Sequence, residues 1–117
     1  MTTISKNIGD SGELLASQYL TEKSYIIRET NYHSKYGEID LIAQDADTLV
    51  FVEVKNYSKS NYISLYNAIS KHKQQKIIRT AKKYLLDKQI ADMPSRFDVV
   101  LFEEGHFIEH IEGAFFI

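Results

Sequence analysis

Residues 37–57, GEIDLIAQDADTLVFVEVKNY, decide the fold of this chain. They predict two apolar strands joined by an acidic turn, with Gln44 opposite Leu49 at the closing end. The same register, continued back along the hairpin, places Asp40 opposite Glu53. Opposed residues have Cβ atoms about 5 Å apart, and like charges at that spacing repel. Such a pair requires a cation between the carboxylates, a shared proton or an open, water-filled face.

The second strand of this hairpin separates its side chains onto two faces, because a strand has a side-chain period of two. Val50, Val52 and Val54 point one way, so Phe51, Glu53 and Lys55 point the other. The register also places Glu38 opposite Lys55. An ordinary cross-strand salt bridge, with Asp40 and Glu53 as solvent-facing positions, is therefore the alternative to a functional site.

Length and composition limit the possible classes of protein. A chain of 117 residues is expected to form one domain, 1–117, that folds without covalent staples. The absence of cysteine excludes disulfides, thiolate metal sites and cysteine nucleophiles. The apolar runs are shorter than the roughly 20 residues that cross a bilayer, and the N-terminus lacks a signal-peptide core. We therefore expect a cytoplasmic protein.

The net charge of −2 conceals a strong segregation of charge. Residues 1–53 carry nine acids and four bases, and residues 87–117 carry seven acids and two bases, whereas residues 54–86 carry eight bases and no acid. This distribution favours a basic stripe for DNA or a structured nucleic acid. The alternative is a solvated helix face that pairs with acids elsewhere. The candidate contacts are Lys76, Arg79, Lys82 and Lys83.

The first helix is expected to begin at Asp10, with Asp10 as N-cap and Glu13 completing a capping box. Glu13 also borders the apolar arc of this helix. It therefore has two compatible uses, capping the helix and directing a carboxylate toward the sheet. The apolar arc consists of Leu15, Ala16, Tyr19 and Leu20.

The remaining patterns predict an α/β sandwich with a mixed sheet, in the order α-β-β-β-α-β-β. Residues 97–102, FDVVLF, are almost continuously apolar, as in a strand buried on both faces by parallel pairing. Residues 114–117 either complete the core or form a homodimer contact. The other expected elements are strands at 25–30 and 106–111, a polar connection at 31–36, a loop at 56–61, a helix from Tyr62 or Leu65, and a long helix from about 69 to 87.

Two polar residues of the long helix have alternative interpretations. Gln74 lies on the apolar arc with Ile77, Ile78 and Ala81, and Lys73 borders the same arc. A polar residue on a core face is usually a satisfied hydrogen-bonding group. The functional interpretation is that the helix contributes these groups to a site on the sheet.

Asp40 and the sequence Glu53-Val54-Lys55 predict a site for Mg²⁺ or Mn²⁺. Carboxylate oxygens held at one point on a rigid sheet suit a cation that binds few protein oxygens and keeps several waters. The metal would polarise a phosphodiester and lower the pKa of a bound water. Lys55 would orient or deprotonate that water, and Glu13 would complete the site from the first helix.

Other kinds of site are not indicated. His106 and His110 have the i, i+4 spacing that suits zinc on a helix, but they fall in a strand-like segment. The sequence contains no Gly-rich phosphate loop, dinucleotide fingerprint or nucleophile elbow.

Several segments form a pattern that runs in order over nearly the whole chain: GEIDLIA at 37–43, FVEVK at 51–55, Lys73-Gln74, Ala81, Tyr84-Leu85, RFDVV at 96–100, and Gly9-x-x-Gly12-Glu13-x-x-Ala16. Together these segments resemble the YraN-like family of small bacterial proteins. The resemblance implies the restriction-endonuclease-like fold, a three-layer sandwich of the PD-(D/E)xK nuclease superfamily.

The resemblance also assigns functional roles. It matches Asp40, Glu53 and Lys55 to the superfamily's catalytic triplet, Glu13 to its first-helix acid, and Gln74 to a helix glutamine of some nucleases. It implies a metal-dependent endonuclease acting on DNA phosphodiesters at branched or structured DNA. The alternative is a non-catalytic module that binds nucleic acid or protein.

The chain departs from the family pattern at two positions. Tyr57 stands where the family usually has arginine, two residues beyond the motif lysine. His33 stands where it usually has a basic residue. Both changes remove positive charge beside the site.

Overall fold

The computed structural model describes residues 4–58 and 69–116. The five strands form one open mixed sheet in the order β1-β2-β3-β4-β5. Only β3 and β4 pair in parallel, so the fold class is α/β with a mixed sheet, as the sequence predicts. The elements are α1 (Ile4–Glu22), β1 (Ile26–Ser34), β2 (Gly37–Asp45), β3 (Thr48–Tyr57), α2 (Lys71–Asp87), β4 (Ser95–Glu103) and β5 (His106–Phe115).

The apolar core has two parts, one on each face of the sheet. On one face Leu20 of α1 belongs to the same buried cluster as Val52. On the other face Tyr84 of α2 packs edge-on against Phe51, with ring centroids 6.1 Å apart. This arrangement confirms the predicted alternation of β3, and it buries the centre of that strand on both sides.

The predicted hairpin register is confirmed as far as the strands remain paired. Gln44 pairs with Leu49, and the ladder continues to Leu41 and Val52. The paired part of the ladder ends there, one residue before Asp40 and Glu53. The hairpin closes on a two-residue turn in which Ala46 has φ 54°.

Helix α1 begins at Ile4, so Asp10 lies inside the helix and its prediction as N-cap is wrong. Residues with capping side chains cost only a few tenths of a kcal/mol inside a helix, and tertiary context overrides that preference. Helix α2 begins at Lys71 instead of residue 69. Its N-cap is Ser70, whose hydroxyl accepts a hydrogen bond from the Lys73 amide at 3.2 Å.

Besides β4, which spans Ser95–Glu103 instead of 97–102, three strands are longer than the sequence predicts. β1 continues through Ser34 and absorbs most of the expected polar connection, because its residues pair with β2 as far as Gly37. β3 continues through Tyr57, so the loop predicted from residue 56 begins later. β5 continues to Phe115. The helix predicted from Tyr62 or Leu65 lies outside the described residues.

The apolar C-terminal segment contributes to the core. Phe115 of β5 is buried and stacks on Phe97, with ring centroids 4.8 Å apart. Phe116, by contrast, is 81% exposed. No helix within the described residues is long and apolar enough to span a membrane.

Candidate functional site

The site forms where β2 separates from β3. Ile39 packs in the core on the α2 side, whereas Leu41 packs on the α1 side, so the alternation of β2 breaks at Asp40. Asn31 faces this break from β1, between two regular pairs, with φ 50°. A local irregularity of this kind redirects a side chain. Asp40 turns toward β3, and its Oδ2 accepts a hydrogen bond from the Val54 amide at 2.8 Å.

Glu53 is the buried carboxylate of the site. Its residue is only 5% exposed. The Lys73 ammonium lies 2.6 Å from Glu53 Oε2, and the Lys55 ammonium lies 3.5 Å from the same oxygen. A buried charge is tolerated when partners compensate its lost hydration, and these two lysines supply that compensation.

The neighbouring carboxyl group of Glu53 changes the pKa of Asp40. Burial, and next the negative charge of Glu53, raise the pKa of Asp40 to about 7. The hydrogen bond from Val54 opposes this rise, whereas a hydrogen bond with Glu53 and the charge of Glu13 add to it. Asp40 therefore retains its proton to a higher pH than an ordinary aspartate does.

The pKa values of Lys55 and Lys73 are shifted in opposite directions. Burial lowers the pKa of Lys55, and the neighbouring Lys73 lowers it further against the attraction of Glu53. Burial also acts to lower the pKa of Lys73, but the hydrogen bond and charge of Glu53 outweigh it and raise the pKa. Lys55 therefore loses its proton more readily than Lys73, so Lys55 is the lysine that can become a neutral base and Lys73 is the more firmly charged cation.

Helix α1 brings Glu13 to the same region. A Cβ added to Gly12 would meet Asn56 Cβ at 3.4 Å and Val54 Cγ1 at 3.7 Å, so the helix lies close against β3 here. Glu13 Oε2 accepts a hydrogen bond from Asn31 Nδ2 at 2.8 Å. Asn31 thus ties Glu13 to the strand that faces Asp40.

Two predicted side chains have other partners. Gln74 donates from Nε2 to the Ile69 carbonyl at 3.1 Å, which is the structural use of a polar residue on a core face. Glu38 contacts His33, with Oε2 and Nδ1 3.2 Å apart, and the Lys55 ammonium contacts Glu53. The alternative salt bridge between Glu38 and Lys55 is therefore not the arrangement found.

Tyr57 is a further residue of the site. In the sequence it stood out only because it replaces the arginine that the family usually has at this position. Burial raises the pKa of its phenol, the charge of Lys73 lowers it, and the charge of Glu53 raises it. Tyr57 therefore lies close enough to Lys73 and Glu53 for their charges to affect its pKa. The strand period was the available signal, because Tyr57 follows Glu53 and Lys55 at steps of two.

Asp40 and Glu53 supply the carboxylate oxygens that could bind Mg²⁺ at this site. Within residues 4–58 and 69–116, no three histidine or acidic side chains already stand as a metal-ligand cluster. Mg²⁺ needs only one or two carboxylates, with water and substrate oxygens completing six-fold coordination. Asp40 and Glu53, whose carboxyl groups interact by a hydrogen bond, fit that requirement.

Replacing Asp40 with asparagine should stabilise the metal-free protein at alkaline pH. The folded pKa of about 7 exceeds the ordinary value of 3.8, so the folded state holds a proton that the unfolded state has released. The wild-type free energy of unfolding should therefore fall as pH rises from about 4 to 7, by at most about 4 kcal/mol.

Urea unfolding at pH 4, 6 and 8 measures this effect. Asp40→Asn should gain about 1–4 kcal/mol over wild type at pH 8 and converge with it near pH 4. Glu38→Gln, in an exposed ion pair with His33, is the control and should follow the wild-type profile. Parallel profiles for wild type and Asp40→Asn would show that Asp40 is not protonated in the folded protein.

The predicted nucleic-acid contacts all lie on α2. The four cationic residues are exposed along this helix. One of them, Lys83, forms an i, i+4 ion pair with Asp87 at 2.9 Å. The four are Lys76, Arg79, Lys82 and Lys83.

A separate polar network surrounds Asp98, which is fully buried. Its carboxylate is bonded to Arg96 Nε at 3.0 Å, His110 Nε2 at 2.7 Å and the Gly113 amide at 3.1 Å. Arg96 also donates to the Tyr25 hydroxyl at 2.7 Å. These bonds join β4, β5 and the connection between α1 and β1, so the RFDVV segment contributes to the stability of the fold.

Comparisons with known proteins agree with the resemblance seen in the sequence. The profile of the uncharacterised protein family UPF0102 matches residues 12–102. A UPF0102 protein of Alkaliphilus oremlandii is 43% identical over 117 residues, covering 96% of this chain and 100% of the relative. One of Syntrophus aciditrophicus is 44% identical over 110 residues, covering 92% and 87%. One of Saccharophagus degradans is 43% identical over 108 residues, covering 92% and 91%. The chain therefore belongs to protein family UPF0102, the YraN family.

Proposed function

We propose that this protein is a divalent-metal-dependent endonuclease that hydrolyses DNA phosphodiester bonds, including those at branched or structured DNA. One observation carries the proposal. Asp40 turns out of its strand toward Glu53, and the two carboxyl groups interact beside Lys55. A fold that needed only stability would not bury opposed acids at one point, because their repulsion is costly.

Each residue of the site has a chemical role in this reaction. Asp40 and Glu53 would hold Mg²⁺ or Mn²⁺, and Glu13 would hold a water of its shell. The metal, when bound, supplies a Lewis acid for the phosphodiester and lowers the pKa of the attacking water. Lys55, whose pKa burial lowers, receives or orients the proton of that water. Lys73 balances the negative charge that develops on the phosphoryl oxygens.

The architecture supports a restriction-endonuclease-like three-layer sandwich. Helices α1 and α2 contribute to the buried clusters on opposite faces of one mixed sheet. The acidic residues and Lys55 come from the strands at the centre of this arrangement, and Glu13 comes from the first helix. This is the placement that the nuclease superfamily implies.

The surface of α2 supports DNA as the substrate. Its exposed cations extend along the helix from the Lys73–Glu53 contact. Contacts to phosphate supply most of the sequence-independent affinity for DNA, and basic side chains make them. A strand lying along α2 would therefore be directed toward the carboxylates.

A second function is favoured by the Lys73–Glu53 contact. At 2.6 Å this ion pair already neutralises Glu53 without a metal. Together with Tyr57 in the place of arginine, it suits a module that holds nucleic acid or a protein partner on a nuclease-like scaffold without cutting.

Cleavage by the wild-type protein should require Mg²⁺ or Mn²⁺. The test compares linear, flapped and four-way DNA in Mg²⁺, Mn²⁺, Ca²⁺ and EDTA, with binding measured by fluorescence anisotropy and products resolved on denaturing gels. We expect cut strands in Mg²⁺ or Mn²⁺ only, since Ca²⁺ rarely supports activation of a water nucleophile in small octahedral sites. Binding without products in every metal would establish the binding module instead.

A further inference from the structure

We propose that a basic groove at the C-terminal half of α2 binds an unpaired nucleotide that adjoins duplex DNA. The inference rests on the proposed function, and it adds a specific substrate feature to that function. The groove has a volume of about 420 Å³. Its walls combine three cations, one aromatic ring and one aliphatic side chain: Arg79, Lys82, Lys83, Tyr36 and Leu86.

The turn that carries Tyr36 is fixed against α2. The Tyr36 amide donates to Ser34 Oγ at 3.1 Å, and the same hydroxyl lies 3.1 Å from Thr80 Oγ1. At Gly37, where φ is 153°, an added Cβ would lie 3.5 Å from Lys76 Cβ and 3.7 Å from Thr80 Oγ1. These contacts hold the backbone of the turn against α2, and the Lys35 ammonium lies 5.3 Å from the centroid of the Tyr36 ring.

The groove exposes apolar surface on two of its residues. Tyr36 is 37% exposed, and Leu86 is 76% exposed. A flat ring with an aliphatic neighbour offers a stacking surface for a nucleobase. Bases paired within a duplex are already stacked on one another, so this surface selects an unpaired base.

The cations of the groove complement a phosphate backbone. Lys83 is paired with Asp87, but within the described residues Arg79 and Lys82 form no ion pair with an acid. The Arg79 guanidinium and the Lys82 ammonium can contact an anionic phosphate, and the neighbouring Tyr36 ring can stack on a planar base. The groove therefore matches the two parts of one nucleotide.

The groove and the carboxylate site both adjoin α2, because Lys83 lines the groove and Lys73 contacts Glu53. Lys73, Lys76 and Lys83 share one flank of α2, since their spacing follows the helical period. Lys83 lies ten residues after Lys73, which corresponds to about 15 Å along the helix at a rise of about 1.5 Å per residue. That distance accommodates about four stacked nucleotides, or fewer in an extended strand. An arm held in the groove would place a bond near the duplex junction at Asp40 and Glu53.

The test measures binding in EDTA, so that neither metal binding nor cleavage affects the result. Fluorescence anisotropy compares a blunt duplex with the same duplex carrying a four-nucleotide single-stranded arm. We expect wild type to bind the armed duplex at least about fivefold more tightly, as one stacked base provides. Tyr36→Ala should reduce that preference to within twofold and leave blunt-duplex affinity unchanged, whereas Tyr36→Phe should retain it. Phe116→Ala, which removes an exposed ring elsewhere, should also retain it.

Failure of this inference differs from failure of the proposed function. Equal binding of both DNAs by wild type, or an undiminished preference in Tyr36→Ala, would overturn the groove assignment and leave the metal-dependent cleavage test standing. Displacement of the armed duplex by a polyglutamate peptide at similar concentration would show a general polyanion site and would also overturn it. Wild type that binds neither DNA would contradict the groove and the DNA substrate together.

Discussion

Replacing Glu53 with glutamine should reduce metal-dependent DNA cleavage by at least about 10³-fold. Glutamine keeps the shape of the side chain but supplies a neutral amide, so the site loses one of its two opposed carboxylates. Lewis-acid stabilisation contributes several kcal/mol to a transition state, and each 1.4 kcal/mol is tenfold in rate. Single-turnover cleavage in Mn²⁺ measures the loss.

The same variant should fold and bind DNA. Removing the charge of Glu53 relieves its repulsion of Asp40, and Lys73, whose side chain is 44% exposed, can turn toward solvent. Affinity for DNA in EDTA should change by less than about threefold, because no phosphate-contacting cation is removed. Separate effects on cleavage and binding distinguish a metal ligand from a residue that only supports the fold.

Glu38→Gln provides the matched control. This acid lies on the same strand as Asp40, but it is exposed and contacts His33. We expect cleavage by Glu38→Gln to match wild type within about twofold. Glu53→Gln that retains more than a tenth of the wild-type rate would refute a catalytic metal at this position.

Replacing Asp98 with asparagine should destabilise the protein by about 3–5 kcal/mol. The fully buried carboxylate is bonded to Arg96, His110 and the Gly113 amide. An asparagine amide would direct donors at one of these groups and leave the Arg96 charge less compensated. Unpaired buried polar groups are among the few causes of losses of this size.

Urea unfolding at pH 7 measures the loss, with Asp92→Asn as the control. Asp92 is exposed, so its replacement should change the free energy of unfolding by less than about 0.5 kcal/mol. At a temperature where Asp98→Asn remains folded, its cleavage rate should equal that of wild type, because Asp98 bonds to Arg96, His110 and Gly113, none of which belongs to the carboxylate site. A loss below 1 kcal/mol would show that the network contributes little to stability.

The sequence predicted most of the fold because short-range periodicity carries most of that information. The alternation of β3, the register of its hairpin and the parallel burial of β4 follow from side-chain period and apolar runs. The boundaries were less well predicted. The polar residues of β1 pair with β2 although they resemble a loop, and Asp10 lies within α1 although it resembles a cap.

The composition of the candidate site was also available in the sequence. The strand period placed Glu53 and Lys55 on one face, and the hairpin register brought Asp40 close to Glu53. The register did not reveal how this approach occurs. The ladder ends one residue earlier, and Asp40 bonds to the Val54 amide, because the alternation of β2 breaks opposite Asn31.

By itself, then, the sequence determined the α/β class, the hairpin and the identity of the opposed acids, since these depend on neighbours along one or two strands. Only the tertiary structure decided what surrounds them. In the folded protein Lys73 contacts Glu53, and Tyr57 lies close enough to both for their charges to affect its pKa. Asp98 is fully buried, and Tyr36 lines a groove with residues of α2. Those contacts join elements that are distant in the chain, and they depend on how the helices pack on the sheet, which no local period encodes.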